Sequence, residues 1–198
     1  MKILILGIGA IGSNLTARLV ADLKNGHQIT VLDKDTVEER NVQAGTQFYI
    51  PDQIGLSKVE ALQFNIYKNY QKEIDIIHQE FKGTIKDWDK YDLTVDCFDN
   101  NEARKNIQFY YEIGKDLKRN DNVLHVGFSD QFTFAIEWAE NYQVPSDITT
   151  GFDICETQGA SSFVNYVTSI GSMVIQEFIL SNKKIEIIGN KMSHQLIQ

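Results

Sequence analysis

Cysteine and proline are both scarce in this chain: two of each occur among 198 residues. The cysteines, Cys97 and Cys155, are too few for a disulfide framework, so we expect a protein of the reducing cytoplasm. The absence of any CxxC pair excludes a zinc site built from four thiolates, and the 4 histidines show no ligand spacing. The sequence has no internal repeat and no proline- or serine-rich linker, so we expect residues 1–198 to form one domain.

Basic charge is also in short supply. The chain has 19 Lys and Arg against 27 Asp and Glu, a formal net charge of -8. Proteins that neutralise nucleic-acid phosphates usually present a basic face, so we expect no nucleic-acid partner. No uninterrupted apolar run reaches the roughly 18 residues that cross a bilayer, and no signal peptide precedes the first strand. We therefore expect no membrane partner either.

Apolar periodicity predicts alternating strands and helices. Strands are expected at 2–6, 29–33, 73–78 and 91–98, and helices at 13–24, 57–70, 102–118 and 160–181. Further strands are expected at 123–128, 132–139 and 184–188, whereas 35–51 is a loop with at most short helical turns. This order predicts an α/β fold with a Rossmann-like, mostly parallel sheet flanked by helices and an antiparallel strand pair near the C-terminal half.

A glycine motif lies between the first predicted strand and helix. Gly7, Gly9 and Gly12 form GxGxxG, which lets the backbone approach a phosphate at a helix N-terminus. Asp33 follows about 20 residues later, where an acid can bond a ribose hydroxyl. The motif predicts a nucleotide site, with a tight strand–helix turn that binds nothing as the alternative. On the glycines alone, NAD would be the leading nucleotide.

Five segments resemble the ThiF/MoeB/HesA superfamily, the adenylating proteins related to ubiquitin-activating enzyme. They occur in order, at 33–41, 54–61, 96–104, 155–159 and 169–177. The similarity extends from the first residue to about position 181, and five segments in order are far more specific than any one alone. The family binds ATP on its glycine turn, so the resemblance implies a single ThiF-type nucleotide-binding domain that takes ATP.

The resemblance also implies roles for individual residues. Gly7, Gly9 and Gly12 would cradle the ATP phosphates, Asp33 would hold the ribose, and Asp35, Asn41, Gln47 and Lys58 would complete the nucleotide site. Asp99 would hold Mg²⁺ between the phosphates, and Lys58 would stabilise developing negative charge. Cys155 is the candidate for a thioester or persulfide with a carrier. Alternatives without function are a solvated Lys58, a helix cap at Asp99 and Asn100, and an inert Cys155.

The implied reaction is adenylation of the C-terminal carboxylate of a ubiquitin-like or sulfur-carrier protein that ends in Gly-Gly. A homodimer is expected by the same analogy. Beside these residues, we expect Asp96 to bond backbone at the end of the sheet, Cys97 to lie in the core, and Arg104 to be structural.

Two departures from the family pattern leave other functions open. The residue directly before Gln47 is not an arginine, whereas active relatives have one there that neutralises phosphate charge. Arg40 or Arg18 would have to replace it. We also expect no preceding helix of the kind that supplies a second arginine across a dimer, because the first strand begins at Lys2. The alternatives are a catalytically degenerate nucleotide- or partner-binding protein and an NAD-binding oxidoreductase.

Overall fold

Buried β-branched and leucine-rich runs build the strands of the sheet. The computed structural model describes residues 1–24, 26–83, 88–117, 122–129, 131–145, 157–191 and 193–197. Within these ranges the strands are β1 (Lys2–Leu6), β2 (Gln28–Asp33), β3 (Asp75–His78), β4 (Leu93–Asp96), β5 (Val123–Phe128), β6 (Thr133–Trp138), β7 (Glu186–Asn190) and β8 (Ser193–Ile197). The α-helices are α1 (Ala10–Asp22), α2 (Glu39–Gln43), α3 (Lys58–Tyr70), α4 (Asn101–Asp116) and α5 (Ala160–Ser181), with 3₁₀ turns at Pro51–Gln53 and Trp88–Lys90.

All eight of these strands form one sheet, in the order β3-β2-β1-β4-β5-β6-β7-β8. The strands from β3 to β5 are parallel, and those from β5 to β8 are antiparallel. The expected Rossmann-like sheet is confirmed, with an antiparallel part larger than the expected pair. Leu6 of β1 is level with Leu32 of β2 and Asp96 of β4. The carboxyl ends of these three strands therefore meet at one edge.

Strand β1 is buried on both faces, which explains its continuous apolar sequence. Ile3 and Ile5 point into the larger core, which they share with α1, α3 and α5. Leu4 and Leu6 point into a smaller core on the opposite face, beneath α4. A helix layer on each side of a parallel sheet leaves the strand ends as the open part of this region.

Helix α5 is a core helix of considerable length. By length and composition alone, its 22 residues could cross a membrane. However, 56% of its most apolar 18-residue stretch is buried inside the protein. The sequence shows no continuous run there because serine, threonine and asparagine are scattered through it, yet the helix carries few charges. A Cβ added at Gly171 would lie 3.5 Å from Leu15 of α1, which shows how closely the two helices pack.

Several predicted boundaries were wrong. Helix α1 begins at Ala10 instead of position 13, because Gly9 acts as its N-cap and the glycine motif is part of the helix start. The strand expected at 91–98 spans only Leu93–Asp96, since its last residues form the turn into α4. The expected terminal strand at 184–188 is β7, and β8, which pairs with it, was not predicted because positions 193–197 are mostly polar.

We predict that Leu15→Ala lowers the free energy of unfolding by about 2–5 kcal/mol, because it removes a fully buried side chain between α1, α5 and the sheet. The matched control is Leu180→Ala on α5, where the side chain is 83% exposed and the change should stay within about 0.5 kcal/mol. Urea denaturation followed by circular dichroism measures both. Equal effects of the two substitutions would contradict the packing of α1 described above.

Candidate functional site

The first and third glycines of the motif are required by close packing. Gly7 has φ +78°, and a Cβ there would lie 2.8 Å from Cδ1 of Phe98. A Cβ at Gly12 would lie only 1.9 Å from the carbonyl oxygen of Gly7. Helix α1 therefore touches the end of β1 backbone to backbone. At Gly9, by contrast, an added Cβ would meet nothing within 4 Å, so this glycine borders open space.

The start of α1 is arranged to accept a negative charge. Its N-cap, Gly9, has no side chain to cap the helix, and the first turn contains no acidic residue. The first amide groups of a helix lack intrahelical acceptors and carry a partial positive charge. An uncapped helix start beside open space fits a phosphate group, as the glycine motif predicts.

Asp33, at the end of β2, holds the glycine turn from the side. One carboxylate oxygen accepts the amide of Ile8 at 2.8 Å, and the other accepts the amide of Asp35 at 2.9 Å. Each oxygen retains a second lone pair for a further donor. The ribose contact stays a prediction, and the structure adds a role in shaping the turn that the sequence did not suggest.

Lys58 is a buried lysine at the first position of α3. The chain after β2 pairs back against the start of this helix through a bridge between Thr36 and Ser57, and the Lys58 amide donates to the carbonyl of Asp35 at 2.9 Å. The Lys58 ammonium lies 3.3 Å from a carboxylate oxygen of Asp35, and the residue is only 8% exposed. A solvated surface lysine is therefore excluded, and its charge is held beside the end of β2.

Residues 46–49 form a strap over the glycine turn. The side chain of Asn14 donates to the carbonyl of Thr46 at 2.8 Å, and the Phe48 amide donates to the hydroxyl of Ser13 at 3.1 Å. The Tyr49 hydroxyl donates to the carbonyl of Ile8 at 2.7 Å. Burial, followed by the charges of Asp33 and Asp35, raises the pKa of Tyr49 well above its ordinary value, so this donor persists at physiological pH.

Two buried polar side-chain atoms of the strap are unsatisfied among the described residues. Thr46 Oγ1 and Gln47 Oε1 are buried and have no hydrogen-bond partner within the described part of the chain. Such groups in a native protein ask for an explanation, and a bound ligand at the adjacent turn is one. Asn41 differs, because its side-chain oxygen accepts the Glu38 amide at 2.8 Å in the capping box of α2. Its predicted phosphate contact stays a prediction.

Asp99 lies on the turn between β4 and α4, at the edge shared with the glycine motif. Its side chain is exposed, and the helix cap is provided by Asn100, whose side chain accepts the Ala103 amide at 2.8 Å. The capping role considered for Asp99 thus belongs to its neighbour. Within the described residues no group of three His, Cys, Asp or Glu could hold a metal. A cation at Asp99 would therefore need further oxygen ligands, such as those of a bound phosphate.

The arginines proposed as replacements have other partners. Arg18 donates to Thr168 and Asn165 of α5, so its side chain faces the helix interface, and its role as a replacement stays a prediction. Arg40 is exposed and bonds Glu38 at 2.6 Å. Thr46, directly before Gln47, is only 2% exposed and carries no charge.

The two cysteines have different outcomes. Cys97 is buried in the core as expected, and burial together with Asp96 raises the pKa of its thiol well above the ordinary value, so it stays protonated and unreactive. Cys155 lies outside the described residues, so its predicted role stays a prediction.

The structure also reveals a buried pair that sequence reasoning missed. His125 Nδ1 lies 2.7 Å from a carboxylate oxygen of Asp96, and the imidazole stacks on Tyr142 with ring centroids 3.6 Å apart. The other oxygen of Asp96 accepts the Phe98 amide at 3.0 Å, as expected for this acid, and Arg104 donates to the Phe98 carbonyl at 2.8 Å. Only the pairing of β4 with β5 brings His125 to Asp96, so the sequence carried no signal for it.

Comparison with known proteins places the chain in a family. Residues 1–195 match the ThiF family. The chain is 33% identical to ubiquitin-like modifier-activating enzyme 5 of Xenopus laevis over 121 residues, which is 52% of this chain and 29% of that enzyme. It is 32% identical to SUMO-activating enzyme subunit 2 of Dictyostelium discoideum over 111 residues, 54% of this chain and 16% of that subunit. It thus spans less than a third of the length of these relatives.

Solved structures share the fold. Escherichia coli MccB in a crystal structure with ATP superposes with a TM-score of 0.72 at 17% identity, over 99% of this chain and 62% of MccB. PaaA superposes with a TM-score of 0.70 at 14% identity, over 100% of this chain and 63% of PaaA. At these identities the likeness concerns the architecture alone.

We predict that alanine lowers the melting temperature far more at Gly12 than at Gly9. Gly12→Ala should lower the melting temperature strongly, because the new methyl collides with a backbone carbonyl that cannot move without displacing β1. Gly9→Ala should lower it far less, because the methyl enters open space and only the poorer helix capping by alanine is felt. Differential scanning fluorimetry compares the two, and a Gly12→Ala protein as stable as Gly9→Ala would refute the close contact.

Proposed function

We propose that this chain, which belongs to the ThiF family, uses ATP to adenylate the C-terminal carboxylate of a ubiquitin-like or sulfur-carrier protein. The observation that carries the proposal is the meeting of three features at one edge of the sheet. They are the uncapped start of α1, the buried Lys58 ammonium and the exposed Asp99 carboxylate. The names of two relatives, a ubiquitin-like modifier-activating enzyme and a SUMO-activating subunit, support the same class of reaction.

The geometry of the glycine turn supports the proposed nucleotide site. The free amide groups at the start of α1 would receive the phosphates, and the space beside Gly9 would let them approach the backbone. The end of β2 would face the ribose, and the unpaired oxygens of the 46–49 strap would find donors on the ligand. The residues assigned to the nucleotide are Gly7, Gly9, Gly12, Asp33, Asp35, Asn41, Gln47 and Lys58.

The proposed reaction joins the partner's carboxylate to AMP. One carboxylate oxygen attacks the α-phosphorus, the bond from that phosphorus to the bridging oxygen breaks, and pyrophosphate leaves. Lys58 would place a positive charge against the negative charge that develops on the phosphate oxygens. Asp99 would hold Mg²⁺, which neutralises phosphate charge when bound. The chain therefore acts mainly by positioning its reactants.

The partner is proposed to end in Gly-Gly, by resemblance to the family, and to meet the enzyme in the cytoplasm. In a later step the Cys155 thiolate would attack the acyl adenylate, forming a thioester and releasing AMP. With a sulfur-carrier partner, a Cys155 persulfide loaded by a separate sulfur donor would attack instead, giving an acyl disulfide and AMP. These parts of the proposal depend on the family resemblance and on the low cysteine count.

We predict that Mg·ATP raises the melting temperature of the wild-type protein, that NAD does not, and that ATP–pyrophosphate exchange appears when the ubiquitin-like partner is added. Lys58→Ala should lower the exchange rate by about 10²–10³, the usual cost of one lost contact to developing charge. Lys68→Ala, an exposed lysine at the other end of α3, is the matched control and should leave the rate unchanged. NAD binding without ATP binding would refute the proposal in favour of an oxidoreductase.

A catalytically degenerate nucleotide-binding protein is the second candidate. The observation in its favour is the neutral, buried Thr46 at the position where active relatives carry arginine. This candidate predicts Mg·ATP binding without exchange in the presence of any co-expressed ubiquitin-like protein.

We also propose a homodimer, formed by the outer face of α4. Three large apolar side chains follow one another at a spacing of four residues along this face and are 68%, 38% and 66% exposed: Phe109, Ile113 and Leu117. Two copies that pack these faces against each other would cover the apolar stripe.

We predict that Phe109→Glu weakens self-association at least about tenfold, because a charge would replace a central apolar contact. Met173→Glu on α5, where the side chain is 60% exposed, is the matched control and should not change it. Sedimentation velocity over a range of concentrations measures both variants. A wild-type protein that stays monomeric at all concentrations would contradict the dimer.

A further inference from the structure

We propose that His125 is a positioning residue for the turn that carries Asp99, and that it acts through the carboxylate of Asp96. The inference rests on the proposed function, in which Asp99 binds the metal of Mg·ATP. His125 touches neither nucleotide nor metal in this arrangement. It orients the Asp96 carboxylate, which in turn holds the Phe98 amide next to Asp99.

A hydrogen bond joins two buried side chains on the neighbouring strands β4 and β5. Asp96 and His125 are level with each other in the parallel pairing of β4 and β5, and they are 2% and 4% exposed. Nδ1 of His125 lies 2.7 Å from a carboxylate oxygen of Asp96, and we assign the imidazole N–H as the donor because a carboxylate accepts hydrogen bonds. This bond fixes the rotation of the Asp96 carboxylate.

Asp96 in turn holds the turn between β4 and α4. The other oxygen of Asp96 accepts the Phe98 amide at 3.0 Å, and the Phe98 carbonyl accepts the side chain of Arg104 at 2.8 Å. The backbone immediately before Asp99 is thus held at both its donor and its acceptor. The ring of Phe98 packs against Gly7, so the same turn also contacts the glycine motif.

The choice of histidine at this position supports a positioning role. The Nε2 atom of His125 is buried and has no hydrogen-bond partner within the described part of the chain. Burying an unpaired nitrogen costs free energy, and an apolar residue would fill the space against Tyr142 without that cost. Among the residues that the structure describes, the one hydrogen bond of the ring is the bond to Asp96. Orientation of the carboxylate is therefore the gain that offsets the unpaired nitrogen.

Three variants separate positioning from stability. His125→Leu removes the donor to Asp96, whereas His125→Asn keeps an N–H close to the place of Nδ1. Val123→Ala is the matched control, because it also shortens a buried side chain of β5 on the same face of the sheet but makes no bond to Asp96. Each variant is studied as the full chain.

The first measurement is the amide spectrum of ¹⁵N-labelled protein without ligand. We expect the Phe98 and Asp99 amide signals to shift in His125→Leu and to stay near their wild-type positions in His125→Asn and Val123→Ala. Unchanged signals in His125→Leu would overturn the proposal. Because no nucleotide is present, this result does not depend on the proposed function.

The second measurement is the Mg²⁺ dependence of ATP binding by calorimetry. We expect His125→Leu to raise the Mg²⁺ concentration for half-maximal effect by about 10-fold or more, the usual cost of losing a group that supports a metal ligand. His125→Asn should restore most of the loss, and ATP affinity without Mg²⁺ should be equal in all variants. A His125→Leu effect no larger than that of Val123→Ala overturns the positioning role. If the ATP affinity of the wild-type protein does not change with Mg²⁺ concentration, the metal site at Asp99 is refuted instead.

Discussion

The contact between the carbonyl of Gly7 and the backbone of Gly12 is the constraint on which the rest of this structure depends. A single methyl at Gly12 would lie 1.9 Å from that oxygen, so α1 can only dock on β1 while both positions are glycine. The contact directs the uncapped start of α1 toward the edge where β1, β2 and β4 end together. Without it the helix start would be displaced from Asp33, Lys58 and Asp99, and no common site would exist.

Polar groups from distant parts of the chain converge on the same few backbone atoms. Ile8 is held through its amide by Asp33 and through its carbonyl by Tyr49, while Phe98 is held by Asp96 and Arg104. Both residues lie in turns that follow buried strands. Hydrogen bonds that are already in place without a ligand reduce the ordering entropy that binding costs.

The family assignment and the local geometry answer different questions. Membership in the ThiF family is shown by residues 1–195, and the names of two relatives are those of a ubiquitin-like modifier-activating enzyme and a SUMO-activating subunit. The geometry shows what occupies the place where the family resemblance implies an arginine: Thr46 is buried and neutral there, and Arg18 faces α5. Under the proposed function, activity would depend on whether Lys58 and a metal held by Asp99 supply enough positive charge without that arginine.

Local and repetitive signals allowed the sequence by itself to determine the α/β class, the glycine turn and most helices and strands. The sequence alone reveals the apolar runs, the GxGxxG motif and the five family segments, because each of them spans only a few neighbouring residues. The tertiary structure alone decided that Asp33 shapes the turn, that Lys58 is buried beside Asp35, and that His125 reaches Asp96. These contacts join residues separated by about 25 positions, and strand pairing, which side-chain periodicity does not encode, brings them together.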